Sequence, residues 1–180
     1  MGIELVKATI QQKVVVKHLL ELYKYDFSEF DNEDVDEQGV YGYTYLDNYW
    51  TEPDERFPFL VKVDGKYAGF ALIRKIKKGS EFYYSMAEFF ILKKYRKKGI
   101  GKQVAFQLFN LFPGIWEVAE IEENISAQKF WRKVISEYTN NDFNEFEKDD
   151  WQVHIQTFHI LTNISIPELL IVGNHLKCIV

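Results

Sequence analysis

A chain of 180 residues amounts to one ordinary domain, or a domain with a short appendage, and is long enough to bury a full hydrophobic core, so two cooperating domains are not expected. Hydrophobic content of 47% with 27% charge and 17% aromatics excludes disorder and fibrous repeats, and a single cysteine, Cys178, excludes a disulfide framework or a thiolate metal cluster. The formal net charge of −5 argues against a general nucleic-acid partner, and the absence of an N-terminal signal pattern points to the cytoplasm as compartment.

In chain order, Ile3 to Thr9 reads as a short strand. Val14 to Tyr25 carries Val15, Leu19, Leu22 and Tyr23 at helical spacing. An acidic stretch follows. Between Asp26 and Arg56 eleven Asp/Glu face a single Arg, a local balance of −10, interleaved with Tyr41, Tyr43, Tyr45, Tyr49 and Trp50. One or two helices are expected within it, and Tyr41 to Tyr45 is ambiguous between strand and loop. Phe59–Val63 and Tyr67–Ile73 flank Asp64-Gly65, the two-residue signal of a hairpin. A third strand, Phe82–Leu92, comes next.

From Ile100 the period changes to about 3.6, with Val104, Leu108 and Leu111 in one line and Ala105, Phe109 and Phe112 beside it, until Pro113-Gly114 ends the helix. Ile115–Ile121 is then a strand, Ser126–Ser136 a helix with Phe130, Trp131 and Val134 inward, and Trp151–Phe158 a last strand. This order predicts a mixed α/β fold, mostly antiparallel in its front half, with at least one strand-to-helix crossover. The last twenty-two residues, His159 to Val180, are apolar but broken by Pro167, Glu168 and Gly173 and too short for a membrane span. An added strand or helix, an arm that forms a homodimer, and an unordered tail all remain open.

From Leu60 to Asn110 the charge reverses, twelve Lys/Arg against three Asp/Glu, a balance of +9. Its centre is the segment Phe89 to Lys102, an apolar strand running through a basic, glycine-containing turn into a helix. Unpaired amides at a helix start, with the helix dipole, form an anion site. Gly99 and Gly101 leave the backbone open to a phosphate, and Arg96, Lys97, Lys98 and Lys102 supply countercharge. The spacing excludes a Walker A loop, because Gln103 follows Gly101-Lys102, and a dinucleotide fingerprint, because Val104 stands where a third glycine is needed.

The remaining pattern, Arg96-x-x-Gly99-x-Gly101 after a strand, with Asn124-x-x-Ala127-x-x-Phe130-Trp131 downstream, resembles the GNAT family of acetyl-CoA-dependent N-acetyltransferases. The resemblance covers residues 1–158 and leaves 159–180 as an extension of unknown role. It implies the GNAT fold, a mostly antiparallel sheet split by a V-shaped cleft with helices on both faces. Acetyl-CoA would be the acyl donor, with its pantetheine along the backbone of Phe89, Phe90 and Ile91 and its pyrophosphate on the amides of Lys97, Lys98, Gly99, Ile100, Gly101 and Lys102. Asn124 would reach the pantetheine or sulfur region, or else serve only as a helix N-cap. The acceptor would be a small-molecule amine, cationic if the acidic aromatic stretch walls it.

An attacking amine must lose a proton, because its ordinary pKa is roughly 10.4. Glu88 is the candidate base, with Glu120 and Glu122 as rivals. Strand alternation decides the face of Glu88, and a merely structural carboxylate is the alternative. A backbone N–H near Phe90 or Ile91 would polarise the thioester oxygen. The family commonly has tyrosine where Trp131 stands, so the usual proton donor to the thiolate is missing, and a catalytically silent acyl-CoA-binding protein is the competing expectation. No metal site is expected: His18, His154, His159 and His175 show no paired-ligand spacing. The sequon Asn163-Ile164-Ser165 and Cys178 are read as incidental.

Overall fold

The computed structural model describes residues 1–148 and 153–161, together with 171–172 and 175–176. The chain opens with β1 (Ile3–Lys7) and α1 (Lys13–Asp31), crosses the acidic stretch with only the short α2 (Asn48–Thr51), and enters the hairpin of β2 (Arg56–Val63) and β3 (Lys66–Lys78). There follow β4 (Glu81–Ile91), α3 (Ile100–Leu111), β5 (Gly114–Ile121), α4 (Ile125–Thr139), β6 (Asn144–Lys148) and β7 (Val153–Ile160). Two short strands, β8 (Ile171–Val172) and β9 (His175–Leu176), pair antiparallel near the C-terminus. The fold is α/β, and seven strands form one sheet in the order β1-β2-β3-β4-β5-β7-β6. All neighbours run antiparallel except β4 and β5, whose parallel pairing requires the α3 crossover.

Asp64 and Gly65 both adopt left-handed backbone (φ 48° and 74°), the geometry that lets a two-residue turn follow the twist of β2 and β3. The sheet carries a core on each face. On one side α3 and α4 pack with Ile100, Val104, Leu108, Phe109, Trp131, Val134 and Ile135 against Phe59, Ile73, Met86, Trp116 and Phe158. Trp116 lies parallel over Phe158 at 6.4 Å between ring centroids. On the other side α1 and α2 cover Leu60, Phe70, Leu72 and Phe90 with Val16, Leu19, Leu20 and Tyr49.

Three sequence expectations need correction. Helix α1 continues to Asp31, and its buried line is Val16, Leu19 and Leu20, leaving Leu22 50% exposed. The inward face is therefore centred one residue later than the Val15, Leu19, Leu22 line. Strand β6 went unrecognised because Asn144-Glu145-Phe146-Glu147-Lys148 is nearly all polar; it forms as an edge strand on the ladder supplied by β7. Finally, β7 runs to Ile160, two residues past the boundary expected at 158. Asn163, Ser165, Cys178 and most of the extension lie outside the described residues. No helix among those described is long and apolar enough to cross a membrane.

Candidate functional site

The parallel strands β4 and β5 pair only at Tyr84 with Trp116 and Ser85 with Glu117. Beyond these residues they part, and neither the edge of β4 from Met86 to Ile91 nor that of β5 from Val118 to Ile121 pairs across the gap. A cavity of about 320 Å³ occupies the split and is lined from both faces of the sheet. Tyr23, Tyr43 and Glu88 border it from the α1 side, and Val118, Glu120, Asn124 and Trp131 from the α4 side.

A β-bulge decides which wall Glu88 joins. The β3–β4 register steps from Leu72 opposite Glu88 to Ile73 opposite Met86, so Ala87 is the extra residue. Met86 packs in the core under α3 and α4. Strict alternation would send Glu88 to that same face. The extra residue sends it instead to the α1 face, among Tyr23, Leu72 and Phe90. There Tyr43 Oη donates to Glu88 Oε1 at 3.0 Å, and the Tyr23 hydroxyl stands beside the same carboxylate. Burial pushes the Glu88 pKa up, while the two hydroxyls and Lys24 restrain the rise.

Tyr43 is held by the chain just before it. Glu21 on α1 accepts the amides of Tyr41 (2.8 Å) and Gly42 (3.0 Å), fixing an otherwise irregular loop onto the helix. Behind Tyr43, Tyr49 is 2% exposed and its hydroxyl has no hydrogen-bond partner among the described residues. Its pKa is pushed up to about 12, chiefly by burial and then by Glu88.

Between β4 and α3 the backbone shapes an anion cradle. Lys97 and Gly99 take left-handed conformations (φ 60° and 76°), and the first amide of this stretch with an acceptor is Gln103, bonded to Gly99 O at 3.1 Å. The six amides of residues 97–102 have no acceptor among the described residues. Successive unpartnered amides at the start of a twelve-residue helix suit a phosphate group.

A sequence model of the Acetyltransferase (GNAT) family matches residues 17–135. The chain belongs to that family. It is an acetyl-CoA-dependent N-acetyltransferase, and the split, mostly antiparallel sheet with its helices is the GNAT fold in this chain. No curated protein matches it in sequence. Among solved structures it is similar to the PaiA N-acetyltransferase of Thermoplasma acidophilum in complex with coenzyme A, at 14% identity over 88% of this chain and 99% of that one, with a TM-score of 0.62. It also resembles a GNAT acetyltransferase of Staphylococcus aureus Mu50 (17% identity, 88% and 99% coverage, TM-score 0.62). A third likeness is to the ribosomal-protein-S18-alanine N-acetyltransferase of Escherichia coli (12% identity, 92% and 100% coverage, TM-score 0.58).

Within this GNAT fold, several residues singled out from sequence are engaged differently from expectation. Arg96 does not project into the cradle: Nε donates to Ile91 O at 2.6 Å and its guanidinium pairs with Asp26 of α1. Lys102 pairs with Glu137 of α4 at 2.8 Å. Of the predicted phosphate cations only Lys97 and Lys98 are without an ion pair among the described residues, and both are exposed. Gly99 is required by its positive φ. At Gly101 a Cβ would stand 3.1 Å from the Phe130 ring of α4, so any larger residue there would press that ring aside by a few tenths of an ångström.

Asn124 caps α4 by accepting the amide of Ala127 at 3.0 Å while also bordering the cavity. Trp131 packs edge-on to Phe89 at 5.0 Å. Of the rival carboxylates, Glu122 is exposed and absent from the cavity wall, whereas Glu120 is 6% exposed and lines it. Tyr23, Tyr43 and Glu21 went unassigned from sequence. The available signal was the −10 segment itself, in which tyrosines recur, but only the folded loop says which one meets Glu88.

Proposed function

We propose that the protein transfers the acetyl group of acetyl-CoA directly to the primary amine of a small cationic acceptor, with both substrates bound together. One observation carries the acceptor half: the bulge at Ala87 turns Glu88 into the cavity wall that also holds Tyr23, Tyr43 and Asp31. Carboxylates and aromatic faces suit an ammonium group through charge and cation–π contact. The one cation in that wall, Lys24, is tied to Glu33.

Glu88 is the general base. Its pKa, raised by burial, brings it closer to the amine it deprotonates than an ordinary carboxylate would be. The donor half is supported by the cradle. The amides of 97–102 with Lys97 and Lys98 fit a diphosphate, and the unpaired β4 edge at Phe89, Phe90 and Ile91 fits an extended pantetheine, one of whose neighbouring N–H groups polarises the thioester oxygen. Asn124 borders the sulfur end. The volume favours a compact acceptor, since 320 Å³ stands at the small end of ligand pockets, which run from about 300 to 1,000 Å³.

Coenzyme A release, measured over polyamines, aminoglycosides, amino acids and peptides with free N-termini, tests the reading. Turnover of the polycationic small amines ahead of the peptides is expected. A preference for peptide N-termini, the type of acceptor named for the S18-alanine enzyme, or for anionic acceptors would overturn it.

A further inference from the structure

We infer that Glu120 is the proton donor to the departing coenzyme A sulfur, the role for which Trp131 offers no acidic hydroxyl. This rests on the acetyl-transfer reading above and assigns a second residue to the same site. Strand β5 alternates Trp116, Val118 and Glu120 onto the α3/α4 face, and the first two are core. Glu120 therefore continues an apolar line into the cavity, 6% exposed, with neither carboxyl oxygen hydrogen-bonded among the described residues.

An unpaired carboxylate in such a place is too costly to persist, and the group stays neutral. A neutral carboxyl needs an acceptor for its hydrogen, and the neighbourhood holds one. Gln156 is fully buried on β7; its Nε2 donates to Glu145 Oε1 at 2.9 Å, which leaves its Oε1 buried and without a donor. The Gln156 amide lies against the Glu120 carboxyl. Once Glu120 carries a proton it can donate to Gln156 Oε1, which gives two of these three orphaned buried oxygens a partner.

The charged groups around this carboxyl are few. Glu145 of β6 opposes its ionisation, and Arg132 of α4 favours it but is committed to Glu145 at 2.8 Å. His154 of β7, its register partner, has Glu147 as its own neighbour at 3.5 Å. Burial dominates and pushes the Glu120 pKa up to about 8, close to an ordinary thiol near 8.5. Thus the cavity that Asp31 also borders holds Glu88 and Glu120 on opposite faces of the split sheet. Glu88 accepts a hydrogen bond from a hydroxyl and stays the base; Glu120 has no well-formed hydrogen bond among the described residues, burial outweighs the restraint from the Gln156 amide, and it stays the acid.

The step balances. Glu88 takes a proton from the ammonium, the amine nitrogen forms its bond to the acyl carbon, and the C–S bond breaks with its electron pair on sulfur. The O–H of Glu120 breaks and its proton goes to that sulfur, leaving a carboxylate that recovers a proton from solvent as products leave. The nitrogen loses its second, surplus proton to solvent water in forming the amide, and Glu88 returns the first to solvent as products leave; with one proton taken back by Glu120, one is released net per turnover.

Two measurements test the assignment: infrared spectra of the free protein at pH 7, and kcat against pH with putrescine as the amine, for wild type, Glu120→Gln and Glu120→Asp. A protonated-carboxyl band present in wild type and lost in Glu120→Gln is expected. Turnover in Glu120→Gln should fall about 100-fold with unchanged KM for acetyl-CoA, and the decline of kcat above about pH 8 should vanish. Glu120→Asp should recover part of the rate. If wild type lacks the band, or if Glu120→Gln keeps the alkaline decline, the assignment is overturned while acetyl transfer stands. A wild-type protein that turns over no amine removes the transfer reading and this role with it.

Discussion

Replacing Glu120 by Gln removes a group whose proton affinity is raised by folding. Its pKa moves from 4.5 to about 8, mainly through burial, so between those values the folded protein holds a proton that the unfolded chain has released. Stability contributed by that proton is complete below pH 4.5 and is lost as pH rises through the window, levelling off above about 8. By pH 7 about two and a half pH units of that stability have been lost, or about 3 kcal/mol at 1.36 kcal/mol per unit; by pH 5 the loss is only about 0.8 kcal/mol. Glutamine cannot ionise, has nearly the same shape, and can donate its amide to the orphaned Gln156 Oε1. The variant is therefore expected to be more stable than wild type at pH 7, with the gap narrowing by about 2 kcal/mol at pH 5. Urea unfolding of both proteins at the two pH values measures this directly, because titrations common to both cancel in the difference. A gap that does not change with pH, or a variant less stable at pH 7, would mean that Glu120 is ionised and partnered, and the reasoning would fail.

Gly99→Glu forces a side chain onto a φ of 76° and places a carboxylate in the amide cradle, so acetyl-CoA affinity should drop at least about 100-fold by calorimetry; an unchanged Kd would remove the phosphate assignment. Tyr43→Phe deletes the 3.0 Å hydrogen bond that favours ionised Glu88. Because that bond lowers the Glu88 pKa, the acid limb of kcat/KM should move to higher pH by about one unit, and a stationary limb would separate Glu88 from the rate. Glu21→Ala releases the amides of Tyr41 and Gly42 and should raise the acceptor KM about tenfold while leaving acetyl-CoA binding alone; an equal loss of acetyl-CoA affinity would show that the loop serves the whole fold.

The elements legible in the sequence were those whose signals are local. Asp64-Gly65 announces its turn, and the change to a 3.6 period at Ile100 announces α3. The alternation of Trp116, Val118 and Glu120, which puts a carboxylate in an apolar line, was present in the sequence but went unrecognised as a sign of its burial. The cradle was legible as a position but not in its parts. That Arg96 would turn back to Ile91 O, and that Gly101 would lie against Phe130, depends on where α1 and α4 come to rest. The bulge at Ala87 was invisible for a stronger reason. No residue type in Ser85-Met86-Ala87-Glu88 flags it, because it arises from the register that β4 takes against β3. One extra residue moves the candidate base from one face of the sheet to the other, so the property that matters most here was the least local.

The segregated charge also acquires a physical meaning. The −10 and +9 segments do not simply face separate ligands, because they meet at Asp26. Burial opposes the ionisation of Asp26, but Lys93 and Arg96 overcome it and hold the carboxyl below its usual range. Helix α1, which carries Tyr23 and Glu21 on the acceptor side, is thereby tied to the turn that shapes the phosphate cradle on the donor side. Self-neutralisation at this joint uses Asp26, Lys93 and Arg96 and leaves Lys97 and Lys98 on one side, with Glu88 and Asp31 on the other, outside it, which is the separation the proposed pair of ligands of opposite sign requires. The proposed ternary complex depends on that arrangement: if the acceptor is cationic, it and the polyanionic donor must reach the same cavity without competing for the same wall.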